Sequence, residues 1–233
     1  MRHLVIGAAG HAQEVAWSLV EQAHAAGDDV ELLFFDDRLP PGPVGCGLGP
    51  IVGGLDAVAS HAQGGNARLV MGIGLPRGKR VVAERLAGLG LEWATVIHPC
   101  ATIGPNTRIA PGSYVAAGAV LTVNVRIGRF ATINMHCQVA HDGRLGDLVT
   151  LHPDTHLAGN VTIGEGAELG TGAVVVPGVA IGAWAIVGAG GVVIDPLDGG
   201  RTYVGIPAVE ARSRIQMKGT TDGRARLVSG HTR

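Results

Sequence analysis

Aliphatic residues recur at every sixth position through the second half of the chain. From Ile103 to Val193, each sixth residue is Ile, Leu or Val, which makes sixteen consecutive matches. A period of six fits neither the 3.6-residue helix nor the two-residue strand, but it fits three short strands wound into a triangular coil. The pattern therefore predicts a prism of about five coils, which parallel strand pairing stacks at intervals of roughly 4.8 Å.

This winding places residues eighteen apart directly above one another. The aliphatic side chains then fill the interior. The residue four positions after each of them, from Thr107 to Gly191, is never larger than Val, as expected where space is short. A side chain two positions after an aliphatic residue, such as that of His141 after Val139, lies outside the interior.

The first hundred residues follow a different pattern, in which predicted strands and helices alternate. The strands are Arg2–Ile6, Glu31–Phe35 and Arg68–Ile73, and the helices run from a glycine loop to Ala26 and from Arg77 to Leu89. Alternation of this kind is typical of a small doubly wound α/β domain with a parallel sheet.

The sequence thus divides into two predicted domains and a tail. Residues 1–97 form the α/β domain, residues 98–208 form the β-helix prism, and residues 209–233 form a C-terminal tail. The tail begins with a helix-like segment, and its composition predicts disorder after about Gly219.

Polar and glycine residues follow the first two predicted strands, where ligands of doubly wound sheets bind. Gly7, Gly10 and His11 open the first helix, whose N-terminal N–H groups suit a phosphate. Asp36 and Asp37 end the second strand and offer acceptors to a ribose or a base. A nucleotide is the simplest common ligand. The full G-x-G-x-x-G motif is absent, so a plain connecting turn and a solvated aspartate pair stay open as alternatives.

Composition and charge narrow the choice of partners. The 233 residues include 38 glycines and only 3% aromatics, with abundant aliphatics, which favours a regular β architecture over a fibre or a disordered chain. The net charge of -1 argues against a nucleic-acid partner, and neither a signal peptide nor a polybasic membrane-binding segment is recognised. Three widely spaced cysteines, with no CxxC pair, indicate a cytoplasmic protein.

Several motifs together resemble one family of enzymes over residues 1 to about 210. They are IGAAGHAQEV at the start, TVIHPCATIG at the domain junction, IGLPRGKR around Arg80, INMHCQVAHDGRLGD, HLAGNVTIGEGAELG and the closing VGIPA. The chain resembles the sugar O-acyltransferases of the hexapeptide-repeat type, a family that includes sialic acid O-acetyltransferases and nucleotide-sugar N-acetyltransferases. The resemblance implies a left-handed parallel β-helix that binds acetyl-CoA, and an N-terminal domain that binds a nucleotide sugar.

The resemblance also assigns roles to individual residues. By position, His141 matches the family's general base, and a histidine can accept a proton at neutral pH. Asp142 and Asn134 match polar residues that arrange the site, and Arg80, which lies in a motif shared with the family, is expected to bind the substrate. Gly159, eighteen residues after His141, is expected to lie directly above it and to offer its N–H to the oxyanion, and its missing side chain would leave room for a thioester. The alternative is that Gly159 only eases the turn at a corner.

Departures from the family leave some histidines without a role. Thr150 stands where the family often has a second histidine, and His152 follows two positions later. His136 and His156 are expected on exposed turns, and Cys137 in a packing position.

The transferred group, the acceptor atom and the sugar stay open at this stage. N-acetylation of a nucleotide-linked amino sugar is the first choice, and O-acetylation of a sugar such as sialic acid is the alternative. The resemblance further implies a homotrimer whose acetyl-CoA sites lie between neighbouring prisms.

Two other classes compete with a sugar acetyltransferase. A γ-carbonic-anhydrase-like metalloenzyme would use His136 and His141, but no histidine stacks eighteen residues from either of them to supply a third zinc ligand. A non-catalytic trimeric scaffold would have no catalytic use for His141.

Overall fold

The computed structural model describes residues 1–62 and 67–211, together with the backbone of a short antiparallel strand pair, Lys218–Gly219 and Ala225–Arg226. The helix-like segment predicted at 211–219 lies for its greater part outside the described residues, as does the disorder predicted beyond Gly219.

The N-terminal domain is built on a five-stranded sheet. Strand β1 (Arg2–Ile6) pairs in parallel with β2 (Glu31–Phe35) on one side and with β5 (Ala67–Met71) on the other. Beyond β2, strand β4 (Pro50–Gly53) also runs parallel, and β3 (Gly42–Pro43) closes the edge in the antiparallel direction. The three predicted strands are therefore present, and β3 and β4, which extend the sheet beyond β2, are additional.

Helices cover both faces of this sheet. Helix α1 (Gly10–Ala26) packs against the face to which Val5 points. Helices α2 (Val58–His61) and α3 (Pro76–Leu86) pack against the opposite face. Because both faces are buried, the strands are apolar along their length instead of alternating with polar residues. Two short 3-10 turns, Leu55–Ala57 and Ala87–Leu89, complete the domain.

The second half of the chain winds into a triangular prism with three faces of short parallel strands. The first face contains Val96–Ile97, Tyr114–Val115, Thr132–Ile133, Thr150–Leu151, Glu168–Leu169, Ile186–Val187 and Thr202–Val204, with Val209–Glu210 antiparallel at its end. The second face contains Thr102–Ile103, Val120–Leu121, Gln138–Val139, His156–Leu157, Val174–Val175 and Val192–Val193. The third face contains Arg108–Ile109, Arg126–Ile127, Arg144–Leu145, Thr162–Ile163 and Ala180–Ile181.

The prism begins one strand earlier than the repeat alone indicates. Val96–Ile97 already pairs with Tyr114–Val115, and Ile97 continues the six-residue spacing backwards from Ile103. The residues just before it, around Trp93, pair with Leu69 on β5. The backbone therefore passes from the α/β sheet into the first face without a flexible linker.

The predicted interior is found in the structure. Of the sixteen aliphatic residues, those from Val115 to Val193 are buried in one continuous core. Only the two in the first coil differ, since Ile109 is half-buried and Ile103 is 38% exposed at the open end of the prism. The parallel register pairs residues eighteen apart, as Val139 with Leu157, which confirms the predicted stacking.

The prism turns its corners with left-handed backbone. From Ile103 to Val187, the third residue after each aliphatic position has a positive φ, and nine of these corner residues are not glycine. Asn and Asp adopt this conformation at modest cost, and they occupy five of the nine positions: Asn106, Asn124, Asp142, Asp154 and Asn160.

One corner instead carries large apolar residues in this costly conformation, because the N-terminal domain packs there. Phe130, Leu148 and Trp184 stack along it at multiples of eighteen. Phe130 meets Trp93 edge-to-face at 5.1 Å, and Leu148 joins the core beneath α3. A left-handed L-residue costs about 1–2 kcal/mol, which burial of a large side chain offsets.

A buried lysine joins the two domains. Lys79 on α3 has no exposed surface, and its Nζ donates to Thr132 Oγ1 at 3.2 Å, Thr150 Oγ1 at 2.8 Å and Val149 O at 3.1 Å. Burial lowers the pKa of Lys79 to about 7, and the Glu168 carboxylate opposes part of that shift. The first face of the prism therefore holds α3 by polar contacts as well as by packing.

We expect Leu151→Ala to lower the free energy of unfolding by about 2–5 kcal/mol, since the cavity would open in the closed interior of the prism. Val81→Ala, on the exposed side of α3, is the matched control and should change it by less than about 0.5 kcal/mol. Urea denaturation followed by circular dichroism measures both. Equal effects of the two substitutions would contradict the assigned interior.

Lys79 also predicts a pH dependence of stability. The unfolded chain holds this proton up to the ordinary lysine pKa of 10.5, whereas the folded chain releases it near 7. Stability should therefore rise with pH between these values, by at most about 1.4 kcal/mol per pH unit. Lys79→Met should remove that rise while leaving other titrations unchanged, so the difference between the two proteins is the quantity to measure. Parallel stability curves from pH 7 to 10 would refute the pKa assignment.

Candidate active site

His141 and Asp142 form an exposed pair at the corner between the second and third faces. Their side chains are 56% and 44% exposed, and His141 Nδ1 lies 2.9 Å from Asp142 Oδ2. Because a carboxylate only accepts hydrogen bonds, this contact places the proton on Nδ1 and leaves Nε2 unprotonated in the neutral ring. His141 therefore presents a basic nitrogen outside the prism, as its place in the repeat predicts.

Asp142 is held in its ionised form. The hydrogen bond with His141 and, after it, a hydrogen bond from Asn124 keep the pKa of Asp142 below its ordinary value. Asn124 Nδ2 lies 3.1 Å from Asp142 Oδ1, and Asn106 Nδ2 lies 2.7 Å from Asn124 Oδ1. These two asparagines were not predicted from the sequence, although stepping back eighteen and thirty-six residues from Asp142 reaches them.

Gly159 lies directly above His141, as predicted. A Cβ atom added to Gly159 would overlap His141 Nε2 and lie 2.5 Å from Cε1 of the same ring. The φ of Gly159 is not left-handed, so the imidazole itself requires the glycine. The sequence suggested that the missing side chain leaves room for a thioester, but the ring takes that space. The Asn160 N–H donates to His141 O at 2.9 Å, which ties the two coils together at this point.

A shallow groove of about 290 Å³ runs along the second face beside this corner. Val120, Gln138, Ala140, His156, Ala158 and Val174 line it. Its floor is largely apolar, and Ala140, immediately before His141, forms part of it. The groove therefore offers an extended apolar ligand a path toward the imidazole.

Asn134 does not lie beside the His141–Asp142 pair of the same chain. It is buried after a strand of the first face, and its Oδ1 accepts from the N–H of Met135 at 2.8 Å. His152 lies in the same stack, with its Nε2 2.8 Å from Glu168 Oε1. Within one chain, Asn134 makes no hydrogen bond to the His141 and Asp142 side chains among the described residues, so its role at the site stays a prediction.

The other predicted surface and packing positions can be compared directly. His136 is exposed at a corner, as predicted, and its Nδ1 lies 3.6 Å from Asp154 Oδ1. The exposed turn predicted for His156 is wrong, because His156 begins a strand of the second face and is half-buried in the groove. Cys137 is buried, as predicted, and burial raises the pKa of its thiol to about 11.

The glycine loop of the N-terminal domain is rigidly held. Gly7 has a φ of +97°, which favours glycine, and its N–H donates to Phe35 O at 2.8 Å. Asp36 is buried and accepts from the N–H groups of Ala8 and Arg38 at 3.0 and 2.9 Å. Asp36 therefore shapes the loop, and the predicted ligand contact is not needed to explain its presence.

Asp37 and Arg80 also have protein partners. The N–H of Leu55 and then the Arg85 guanidinium keep the pKa of Asp37 below its ordinary value. Arg80 lies over the Trp184 ring at 4.7 Å and 3.2 Å from Glu165 Oε1, at the seam between the domains. The structure thus places Arg80 at the domain seam, and its predicted contact with substrate stays a prediction.

The start of helix α1 keeps the properties expected of a ligand site. No side chain caps its N-terminus, beside Gly10. His11 packs edge-to-face on Tyr114 of the prism, with 5.8 Å between ring centres. Its Nε2 is buried and has no hydrogen-bond partner among the described residues. Gly7, Gly10, His11 and Asp36 are therefore gathered at one end of the sheet, facing the prism.

Within residues 1–62 and 67–211, no group of three His, Cys, Asp or Glu side chains is arranged to hold a metal ion. In the same part of the chain, no helix has both the length and the apolar character required to span a bilayer.

A parallel β-helix with an exposed His–Asp pair beside an apolar groove is the arrangement expected of a hexapeptide-repeat acyltransferase. No family model matches the chain. A curated relative, GDP-perosamine N-acetyltransferase of Escherichia coli O157:H7, is 30% identical over 150 residues, covering 62% of this chain and 64% of that protein. The chain thus spans less than two thirds of this relative's length.

Solved structures extend the similarity to nearly the whole chain. Perosamine N-acetyltransferase from Caulobacter crescentus, an H141N mutant in complex with CoA and GDP-perosamine, is 36% identical, with a TM-score of 0.83 over 91% of this chain and 98% of that one. The acetyltransferase domain of PglB from Neisseria gonorrhoeae FA1090, in complex with acetyl coenzyme A, is 32% identical, with a TM-score of 0.82 over 90% and 98%.

The chain therefore belongs to the hexapeptide-repeat sugar acetyltransferases. The predicted fold, an α/β domain followed by a parallel β-helix, and the predicted enzyme class are confirmed. None of the relatives named here is a sialic acid O-acetyltransferase, so that narrower part of the resemblance is not confirmed.

We expect Gly159→Ala to lower the rate of acetyl transfer by about 10²-fold, because the new methyl group displaces the His141 ring. Stability should change little, since the exposed ring can swing into solvent. Gly88→Ala, where a Cβ meets nothing within 4 Å, is the control. Acetyl-CoA consumption and the unfolding midpoint measure the two effects. Full activity in Gly159→Ala would mean that the observed stacking is not needed for catalysis.

Proposed function

We propose that this protein transfers the acetyl group of acetyl-CoA to the amino group of a nucleotide-linked amino sugar. The exposed His141, with its Nδ1 bonded to Asp142 and its Nε2 free, is the observation that carries the proposal. In the proposed reaction the sugar nitrogen attacks the thioester carbonyl and its proton passes to His141 Nε2. A C–N bond forms, the C–S bond breaks, and the proton then passes to the sulfur of CoA.

The tautomer of His141 suits this role. A general base must offer a lone pair within reach of the proton that it removes, and Asp142 directs Nε2 away from the corner. As the amine attacks, negative charge builds up on the thioester oxygen. The proposed donor to this oxygen is the Gly159 N–H, which makes no hydrogen bond of its own among the described backbone contacts. One such donor contributes about 3 to 4 kcal/mol to a transition state.

The groove on the second face is the proposed site of the acetyl-CoA arm. Its small apolar residues Ala140 and Ala158 would contact the chain of the cofactor while the thioester reaches His141. The N. gonorrhoeae relative was solved in complex with acetyl coenzyme A, which supports the same donor for this chain.

The N-terminal loop is the proposed nucleotide site. Uncapped N–H groups at the start of α1 would bind the phosphates. His11 Nε2, which has no hydrogen-bond partner in the described part of the chain, would bind the sugar or a phosphate oxygen. The C. crescentus relative was solved with GDP-perosamine. We therefore infer that a GDP-linked amino sugar is the first acceptor to test.

The proposed assembly is a homotrimer. The apolar, exposed second face suits side-by-side packing of prisms, and a neighbour would bring a second set of residues, including Asn134, toward His141. Exposed Cys46 and Cys100 suit the reducing cytoplasm as the place of action.

O-acetylation of a sugar such as sialic acid is the second candidate, supported by the sequence motifs alone. A free sugar would leave the proposed nucleotide site without a ligand. A hydroxyl also depends more than an amine on a general base that removes its proton during attack. The uncapped N-terminus of α1 therefore favours the nucleotide-linked amine.

We expect acetyl-CoA consumption with GDP-perosamine, and a fall of about 10²- to 10⁴-fold in His141→Asn. The C. crescentus relative has itself been solved with H141N and H141A substitutions, numbered in that protein. His136→Asn is the matched control, since His136 is exposed at another corner, and it should retain full activity.

The acceptor panel should contain GDP-, UDP- and dTDP-linked amino sugars and free sialic acid. Turnover of sialic acid alone would support O-acetylation instead. Turnover that His141→Asn leaves unchanged would rule out His141 as the base, and an inert wild-type protein with every acceptor would favour the scaffold.

A further inference from the structure

A row of polar side chains leads along one corner of the prism to the proposed base. Asn106, Asn124 and Asp142 occupy the same corner in three successive coils, each with a φ between +57° and +61°. Asn106 Nδ2 contacts Asn124 Oδ1 at 2.7 Å, and Asn124 Nδ2 contacts Asp142 Oδ1 at 3.1 Å. Asp142 Oδ2 then meets His141 Nδ1 at 2.9 Å.

An arginine closes the far end of this row. Arg126 Nη2 lies 3.4 Å from Asn106 Oδ1, and Nη1 bonds to the carbonyl oxygen of Asn106. Arg126 is anchored further by Val125 O at 3.1 Å. No salt bridge to Arg126 occurs within the described part of the chain. The side-chain contacts of the Arg126 guanidinium are therefore with Asn106 and with the adjacent backbone.

The two ends of the row determine its direction. A guanidinium can only donate and a carboxylate can only accept, so each asparagine must turn its oxygen toward Arg126 and its amide nitrogen toward Asp142. Every bond then points the same way, toward Asp142. With Oδ1 occupied by Asn124, Oδ2 of Asp142 is directed at His141 Nδ1.

The backbone alone does not explain these asparagines. Gly178 occupies the same corner two coils beyond Asp142, with a φ of +77°, so glycine suffices for the turn. Asn160 occupies the same corner one coil beyond Asp142, with a φ of +60° and no side-chain hydrogen bond among the described residues, so the backbone conformation alone accounts for it. Asn106 and Asn124 differ from it, because their amides bond in both directions along the corner. The side chains therefore serve the row of hydrogen bonds.

We propose that Arg126, Asn106 and Asn124 are positioning residues that orient Asp142 and, through it, hold His141 as the Nδ1–H tautomer with Nε2 aimed at the substrate. The proposal rests on the proposed function only where it predicts changes in kcat, since the orientation of the His141 ring can be tested without turnover. These residues touch neither substrate nor reacting atoms, and they act through Asp142.

Asn124→Gly is the first test, because glycine keeps the left-handed corner and removes only the amide. We expect kcat to fall about 5- to 10-fold, the net contribution of one typical hydrogen bond, with KM unchanged for both substrates. Asp154→Gly is the matched control. It removes a polar side chain from a different left-handed corner, with a φ of +59°, and should leave kcat unchanged.

Asn106→Asp tests the direction of the row. The new carboxylate would still accept from Arg126 but could not donate to Asn124. Asn124 would then lie between two carboxylates, and its amide nitrogen could turn toward either of them, which would weaken its bond to Asp142. We expect kcat to fall although the substitution lies two coils from His141. An unchanged kcat in both Asn124→Gly and Asn106→Asp, with normal unfolding midpoints, would overturn the proposal.

A spectroscopic readout tests the same idea without turnover. Two-bond correlations in nitrogen-15-histidine-labelled protein report the tautomer of each neutral ring, and the His141→Asn variant identifies the His141 signal. We expect the Nδ1–H form in the wild type and a mixture in Asn124→Gly, with no change in Asp154→Gly. An identical His141 tautomer in wild type and Asn124→Gly would overturn the positioning role.

The two readouts separate failure of this proposal from failure of the proposed function. A wild type that turns over no sugar but shows the tautomer shift in Asn124→Gly would refute the acetyl transfer and support the row. A wild type that turns over GDP-perosamine, with Asn124→Gly unchanged in kcat and in tautomer, would support the enzyme and refute the row.

Discussion

Parallel pairing between residues eighteen positions apart is the constraint on which the rest of this structure depends. It follows from aliphatic residues at every sixth position, which can all be buried only if the chain turns three corners per coil. Hydrogen bonds between successive coils then fix the axial position of every corner residue. As a result, His141 and Gly159 meet although no turn or loop connects them directly. The same repeat that fills the interior therefore sets the relative positions of the residues at the site.

The repeat made the prism and the stack of His141 beneath Gly159 predictable, because both depend only on spacing along the chain. Other parts of the site depend on side-chain directions and on the second domain, which periodicity does not describe. The bonds from Asn124 to Asp142 need particular rotamers, and the burial of Lys79 depends on how α3 meets the first face. The position of Arg80 over Trp184 could not be predicted either, since it is a contact between segments about a hundred residues apart.

In the N-terminal domain, the pattern of apolar residues predicts some strands and misses others. Its central strands were predicted nearly to the residue, since strands buried on both faces are continuous apolar runs. Strands β3 and β4 were missed, because they are short and rich in Gly and Pro. Asp36 illustrates a different difficulty. A carboxylate at the end of a strand can bind a ligand or the backbone, and here the backbone N–H groups of the neighbouring loop already occupy its oxygens.

The left-handed corners make each coil a unit of fixed length. Adding or removing one residue between two corners would turn every later aliphatic side chain out of the interior, whereas a complete coil of eighteen residues could be inserted beyond Val193 without moving His141 relative to Gly159. Such an insertion would add one strand to each face, beyond the residues that line the groove. The height of the prism is therefore independent of the geometry around His141, so that coils could be gained at that end without a change at the proposed site.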